Sequence, residues 1–185
     1  MKITFARTLA NGMVAAALIG ASFAPTPVMA QETPRLPDAE FQRLYDRMTG
    51  IWDFQPDKST YTRGEPPKRW YVIYEADGDK AIKYTNRSCN ADGQEIVRVS
   101  RQVLDGEDYA RSGSDTSIAR LPVDEFTIST TIKNAGTLMA RNTQFFSADG
   151  QRMTITLRRN IEEGESVTTI NVYDKTDQRL PVCAA

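Results

Sequence analysis

The sequence predicts an all-β protein, an antiparallel up-and-down meander closing into a barrel, with one short N-terminal helix. Two observations carry this. Between Arg69 and Lys175 the chain is punctuated by small turn signals: Asp77-Gly78-Asp79, Asn90-Ala91-Asp92-Gly93, Asp105-Gly106, Asn134-Ala135-Gly136, Ala148-Asp149-Gly150 and Glu163-Gly164. Asp and Asn bond their own backbone and tolerate the left-handed region that glycine supplies freely. Between the turns lie runs rich in Val, Ile, Thr, Tyr and Phe that alternate apolar with polar residues, with no second helical pattern among them. Such alternation gives a sheet with one solvated face, and nine or ten such strands lose their exposed edges most economically by closing. An open sandwich is the alternative architecture.

Taken in order, the first thirty residues read as a secretory signal peptide. Lys2 and Arg7 form a positive start, Met13 to Phe23 is apolar, and Val28-Met29-Ala30 offers cleavage after Ala30. The apolar run is shorter than the ~20 residues of a spanning helix and ends at Pro25 and Pro27. No twin arginine precedes it and no lipid-bearing cysteine follows, so the expected destination is a periplasm or the medium. The remaining 155 residues (31–185) suffice for one domain. That part carries 21 basic against 24 acidic residues, with no basic stripe for phosphates, which argues against nucleic acid as a partner. Cys89 and Cys183, the only cysteines, are expected to form one disulfide in an oxidising compartment.

Pro37-Asp38-Ala39-Glu40 starts the helix, with Asp38 as the expected N-cap; Phe41, Leu44, Tyr45 and Met48 form its apolar stripe, and Gly50 stops it. Gly50 to Phe54 is the first strand, with Trp52 and Phe54 sharing a face. Gln55 to Lys68, containing Pro56, Gly64, Pro66 and Pro67, is a long polar connection of the kind that serves as a lid or binding loop. Strands follow at 69–76, 80–88, 96–104, briefly around Tyr109, and at 116–121, 125–133, 137–147, 152–161 and 166–175.

The helix, Gly50-x-Trp52 on the first strand, the long first loop and the meander resemble lipocalin-like β-barrels. Four stretches resemble more closely a group of exported bacterial lipocalin-like proteins of unestablished function. These are Thr49-Gly50-Ile51-Trp52 with Pro56-Asp57-Lys58-Ser59-Thr60-Tyr61; Tyr74-Glu75-Ala76-Asp77-Gly78; Asp105-Gly106-Glu107-Asp108-Tyr109 with Gly113-Ser114; and Ser147-Ala148-Asp149-Gly150 with Val172-Tyr173-Asp174-Lys175. The resemblance implies a barrel with a cavity and Trp52 packed at its closed end; the arginine that lipocalins pack over that tryptophan has candidates here but no motif match. Only ten residues follow Lys175, so the C-terminal helix of lipocalins is not expected.

The chain has no histidine, which removes Ser-His and Cys-His catalysis and the commonest zinc and haem ligands. Asp105-Gly106-Glu107-Asp108 lacks the distal bidentate Glu of a calcium loop, so no metal and no cofactor are expected. Arginines on apolar faces are the informative oddity. Arg101 shares parity with Val97, Val99 and Val103, and Arg159 with Met153, Ile155, Leu157 and Ile161. An interior guanidinium needs a partner. It holds a ligand carboxylate or phosphate, or it stacks over Trp52 or pairs with an internal Glu, or a bulge turns it outward. Three function classes follow. The first is a binding module for a small apolar, amphipathic or anionic ligand, lined by Trp70, Tyr74, Met153 and Leu157 with Arg101 and Arg159. The second is a structural or interaction protein with a filled barrel and an exported protein partner. The third, an enzyme, has no motif in its support.

Overall fold

The computed structural model describes residues 35–183, apart from 63, 65, 66, 68, 91, 161–165 and 180 and the side chains of 160 and 166–168. The proposed leader, residues 1–30, lies outside the described residues. One helix, α1 (Asp38–Met48), precedes eleven strands: β1 (Gly50–Phe54), β2 (Thr60–Tyr61), β3 (Trp70–Ala76), β4 (Ala81–Cys89), β5 (Glu95–Val103), β6 (Tyr109–Ala110), β7 (Thr116–Asp124), β8 (Thr127–Asn134), β9 (Thr137–Phe146), β10 (Arg152–Asn160) and β11 (Ser166–Thr176). Their order in the single sheet is β5-β4-β3-β1-β11-β10-β9-β8-β7-β6, every described pairing is antiparallel, and β2 adds to β11. First and last long strands therefore meet, with Trp52 beside Lys175 and Phe54 beside Tyr173. The expected antiparallel barrel with one helix is what the chain forms. Its wall lacks one ladder: β5 and β6 are the two ends of the sheet and are not paired with each other.

Asp38 is the first helical residue and not the cap. Pro37 occupies the cap position without a side-chain bond, and its carbonyl accepts from Glu40 N and Phe41 N. Proline there fixes φ in advance and donates no hydrogen bond, which leaves Asp38 and Glu40 to face the positive end of the helix. Leu44 and Met48 on the apolar stripe are fully buried. Gly50 follows the helix at φ +134°, and a Cβ there would come within 2.6 Å of Lys175 Cε. Glycine both frees the backbone and leaves room for the lysine.

Around this junction lies the filled end of the barrel. Leu44, Met48, Trp52, Ile82, Ile128, Phe146, Met153 and Tyr173 are completely buried together. Trp52 Nε1 donates to Met48 O at 2.8 Å, tying the strand to the helix, and the indole meets the Phe146 ring at 5.6 Å. The cation over Trp52 is Lys175, its Nζ 5.2 Å from the ring and donating to Arg47 O. No arginine takes that place: Arg47 sits instead over Phe126 at 4.3 Å and, with Arg43, pairs with Glu125.

Cys89 and Cys183 are bridged, with Cα atoms 5.3 Å apart. Cys89 is the last residue of β4, so the bridge meets the sheet at a strand end. Cys89 lies on the outer parity of β4, and the tail leaves β11 beside Ile51 at the other end of the wall. Near the bridge Arg69 Nη1 donates to Pro181 O and Val182 is buried. No helix among the described residues is long and apolar enough to cross a membrane.

Candidate functional site

Register assigns the inner face. In antiparallel sheets directly paired residues point the same way, and parity alternates along each strand. Buried Val72, Tyr74, Ile82, Ile128, Gln144 and Met153 mark the interior. On one wall this parity runs Trp70–Ser88–Ile96, Val72–Asn86–Arg98 and Tyr74–Tyr84–Ser100. On the other it runs Arg120–Thr130–Asn142–Leu157, with Pro122–Ile128–Gln144–Ile155 below and Ile118–Ile132–Ala140–Arg159 above.

Above the filled end the lining turns polar. Gln144 Nε2 donates to Tyr74 OH at 3.1 Å and to Met153 Sδ, bridging opposite walls as a floor. Tyr84 OH accepts from Asn86 Nδ2 at 3.2 Å. Arg120 is the singular residue. Burial pushes its guanidinium below its ordinary pKa, while the phenols of Tyr74 and Tyr84 lie within electrostatic reach. Among the described residues no carboxylate pairs with it. Yet part of Arg120 and part of Tyr84 remain accessible. Burial likewise raises the Tyr74 phenol well above its usual range, helped by Tyr84 beside it, and raises Tyr84. Both stay neutral donors at neutral pH. Among the described residues Thr130 Oγ1 and Asn142 Oδ1, in the Arg120 row, and Gln102 Oε1 and Trp70 Nε1, elsewhere on the inner face, are buried without hydrogen-bond partners. Unpartnered buried polar atoms are costly, and the two in the Arg120 row call for something that bonds them.

The residues expected from sequence separate on this frame. Tyr74 is buried on the inner face, and Trp70 lies on it partly buried, its ring edge-on to Tyr173 at 5.9 Å. Leu157 stands in the Arg120 row, and Met153 forms part of the floor. Trp52 is at the filled end. Arg159 has interior parity but sits exposed, at the open rim. Arg101 is a correction: it points outward, its side chain 57% exposed and paired with Asp77 at 3.1 Å. Its companions Val97 and Val99 are 53% and 58% exposed, so the apolar parity of β5 is the outer one, and Arg98, Ser100 and Gln102 face in. Arg120 was missed because its strand was read as a short segment. The same oddity marks it, an arginine sharing parity with Ile118. The acidic turn is spent internally: Asp105 accepts from Glu107 N and Tyr109 OH, and Asp108 pairs with Lys133. Among the described residues no cluster of three metal-ligating side chains occurs.

No protein-family model matches the chain, and no curated protein does by sequence. In structure it is similar to the fluorescent protein UnaG at 10% identity and TM-score 0.52, over 71% of this chain and 98% of that one. A mutant of the same protein matches at 10% identity and TM-score 0.53, over 72% and 99%. These likenesses show a lipocalin-like barrel fold. Zebrafish ileal bile acid-binding protein complexed with cholic acid is more distant, at 12% identity and TM-score 0.48 over 70% of this chain and 99% of that one.

Proposed function

We propose that the chain is an exported binding protein that holds a small amphipathic anion in the open half of its barrel. One observation carries the reading: the Arg120 guanidinium is on the inner face within electrostatic reach of two neutral phenols, and among the described residues no carboxylate pairs with it. A buried charge left alone is strongly unfavourable, and an acidic ligand group accepting from a guanidinium and adjacent O–H donors removes that cost. Tyr74, Tyr84 and Thr130 supply O–H donors to the head group, and Asn142 Oδ1 accepts from a hydroxyl or amide N–H elsewhere on the ligand. Trp70 and Leu157 cover its apolar body, Met153 lies beneath, and Arg159 waits at the rim. Nothing in this lining is a nucleophile backed by a base, so the groups suit holding a molecule and not transforming one.

Export is part of the proposal. It rests on the leader-like first thirty residues and on the Cys89–Cys183 bridge, which suits an oxidising compartment. Native mass spectrometry of protein purified from the periplasm or medium of its own host, with organic extraction, tests the reading. A co-purifying acid that Arg120→Met protein no longer carries is the expected result. Protein that is empty in both forms, and that binds no acid on titration, overturns it in favour of a filled structural barrel.

A further inference from the structure

The proposed ligand needs a way in, and three routes exist on this barrel. The helix end is packed solid around Trp52 and Met48. Toward the opposite end, the first part of the connection after β1 is fastened to β11 at several points. Thr60 and Tyr61 pair with Ile170 and Thr169, Tyr61 OH donates to Asn171 Oδ1 at 2.7 Å, Ser59 Oγ accepts from Val172 N, and Lys58 pairs with Asp174. The third route is the seam between β5 and β6, where no ladder exists.

Accessibility follows the seam. Asn86 on β4 is buried, but Arg98, its inward-facing partner on β5, is exposed. Ser100, paired with Tyr84, is exposed as well. Across the seam Tyr109 shares the inner parity of Ile118 and is 45% exposed, its hydroxyl turned to Asp105. At the helix end of the seam a cleft of about 330 Å³ is lined by Val103 at the end of β5, by Leu104, by Leu121 and Pro122 on β7, and by Leu36 and Phe41 of the helical segment. Inner-face side chains exposed on an interior strand would signal an error of packing. On a strand bordering an opening they are its lip. Arg98 has no ion-pair partner among the described residues, and its charge reaches the Tyr84 phenol. The lip cation and the seat cation both lie within electrostatic reach of the same tyrosine.

We infer that the ligand enters sideways through the β5–β6 seam, with Arg98 as the outer cation that guides an acidic head group past Tyr84 to Arg120. This rests on the binding reading above. Electrostatic guidance acts on association rates and weakens with salt, because exposed charges are screened beyond about 10 Å at 0.1 M ionic strength.

Two probes of one scaffold separate charge from shape: anilinonaphthalene sulfonate, an anion, and N-phenylnaphthylamine, which is neutral. Their association with the full disulfide-bonded protein is followed by stopped-flow fluorescence at several salt concentrations. The expected result is that Arg98→Gln slows the anion roughly 3- to 10-fold at low salt, flattens its salt dependence and leaves the neutral probe alone. Ser100→Trp, at an exposed lip position, slows both probes, and Tyr61→Phe, which loosens the end loop, changes neither. Denaturation midpoints equal to wild type show that the variants are folded. Faster binding in Tyr61→Phe, with rates unmoved by Arg98→Gln and Ser100→Trp, overturns the seam and assigns access to the loop end. Wild-type protein that binds neither probe overturns the binding reading and the route with it.

Discussion

In the closed half of the barrel the indole N–H of Trp52 has its acceptor, the helix backs the strand, and large apolar side chains from both walls are fully excluded from water. One level higher, the residues facing inward are Arg120, Thr130, Asn142, Tyr84 and Arg98, and two of them, Thr130 and Asn142, carry buried polar atoms without a hydrogen-bond partner among the described residues. The two regions share strands, ladders and twist. They differ only in what the inward parity carries, so one sheet supports a core and a cup together. The closed half holds the fold, which leaves the open half free to keep groups that a core would not tolerate.

That division can be broken from either side. The largest effect is expected from Trp52→Ala, which leaves a cavity against Phe146 and frees Met48 O. A loss of about 3–5 kcal/mol, read from urea denaturation, is the expectation. A loss below ~1 kcal/mol would place the fold's support elsewhere. Cys183→Ala ranks next. The bridge closes a sequence separation of 94, and its removal should cost about 2–4 kcal/mol while the circular dichroism of the sheet persists. Reduced wild-type protein melting at the oxidised temperature would contradict this.

The third test has the opposite sign. Arg120→Met removes a buried unpaired charge, so the empty protein should keep its stability or gain about 1–4 kcal/mol, while binding of acids is lost. Substantial destabilisation of the ligand-free variant would mean that the guanidinium is a structural member. The smallest effect is alkaline. Tyr74 and Tyr84 ionise near pH 10 in the unfolded chain and at higher pH in the fold, because burial opposes the phenolate. Above pH 10 the unfolded chain therefore releases protons that the fold retains. Their stabilising contribution is complete below that pH and falls as pH climbs through the folded values. Each phenol contributes at most ~1.4 kcal/mol per pH unit in that window. Tyr74→Phe should flatten the fall in denaturation midpoint above pH 10.

How legible this was from sequence depended on where a strand sits. Between Asp/Asn-Gly turns the strand limits were readable because the turn chemistry is local. The interior of β10 was readable too, since Met153, Ile155 and Leu157 are flanked by strands on both sides and obey apolar-in parity. On β5 that rule fails. The strand borders an opening, its inward parity carries Arg98, Ser100 and Gln102, and Val97 and Val99 lie outside. Periodicity reports two faces without saying which one is inside; only the pairing with β4 decides. Arg120 required the same knowledge across four strands. The cation over Trp52 was expected from resemblance as an arginine, but Lys175 arrives there through the β1–β11 register, which no local pattern encodes.

The meeting of β1 with β11 also governs when the protein can exist. Its earliest long strand must wait for its latest, across nearly the whole chain, and Cys89 must wait for a partner a few residues from the C-terminus. Long-range pairings of this kind form slowly, because the intervening chain must be ordered before the contact rewards it. For a chain threaded N-terminus first through a membrane, α1 and β1 would emerge with Trp52 and Phe54 uncovered and stay so until the C-terminal residues followed. In such a chain the wall could be completed only once β11 had followed, and in that interval an exposed β1 is the segment that a holding chaperone would have to cover.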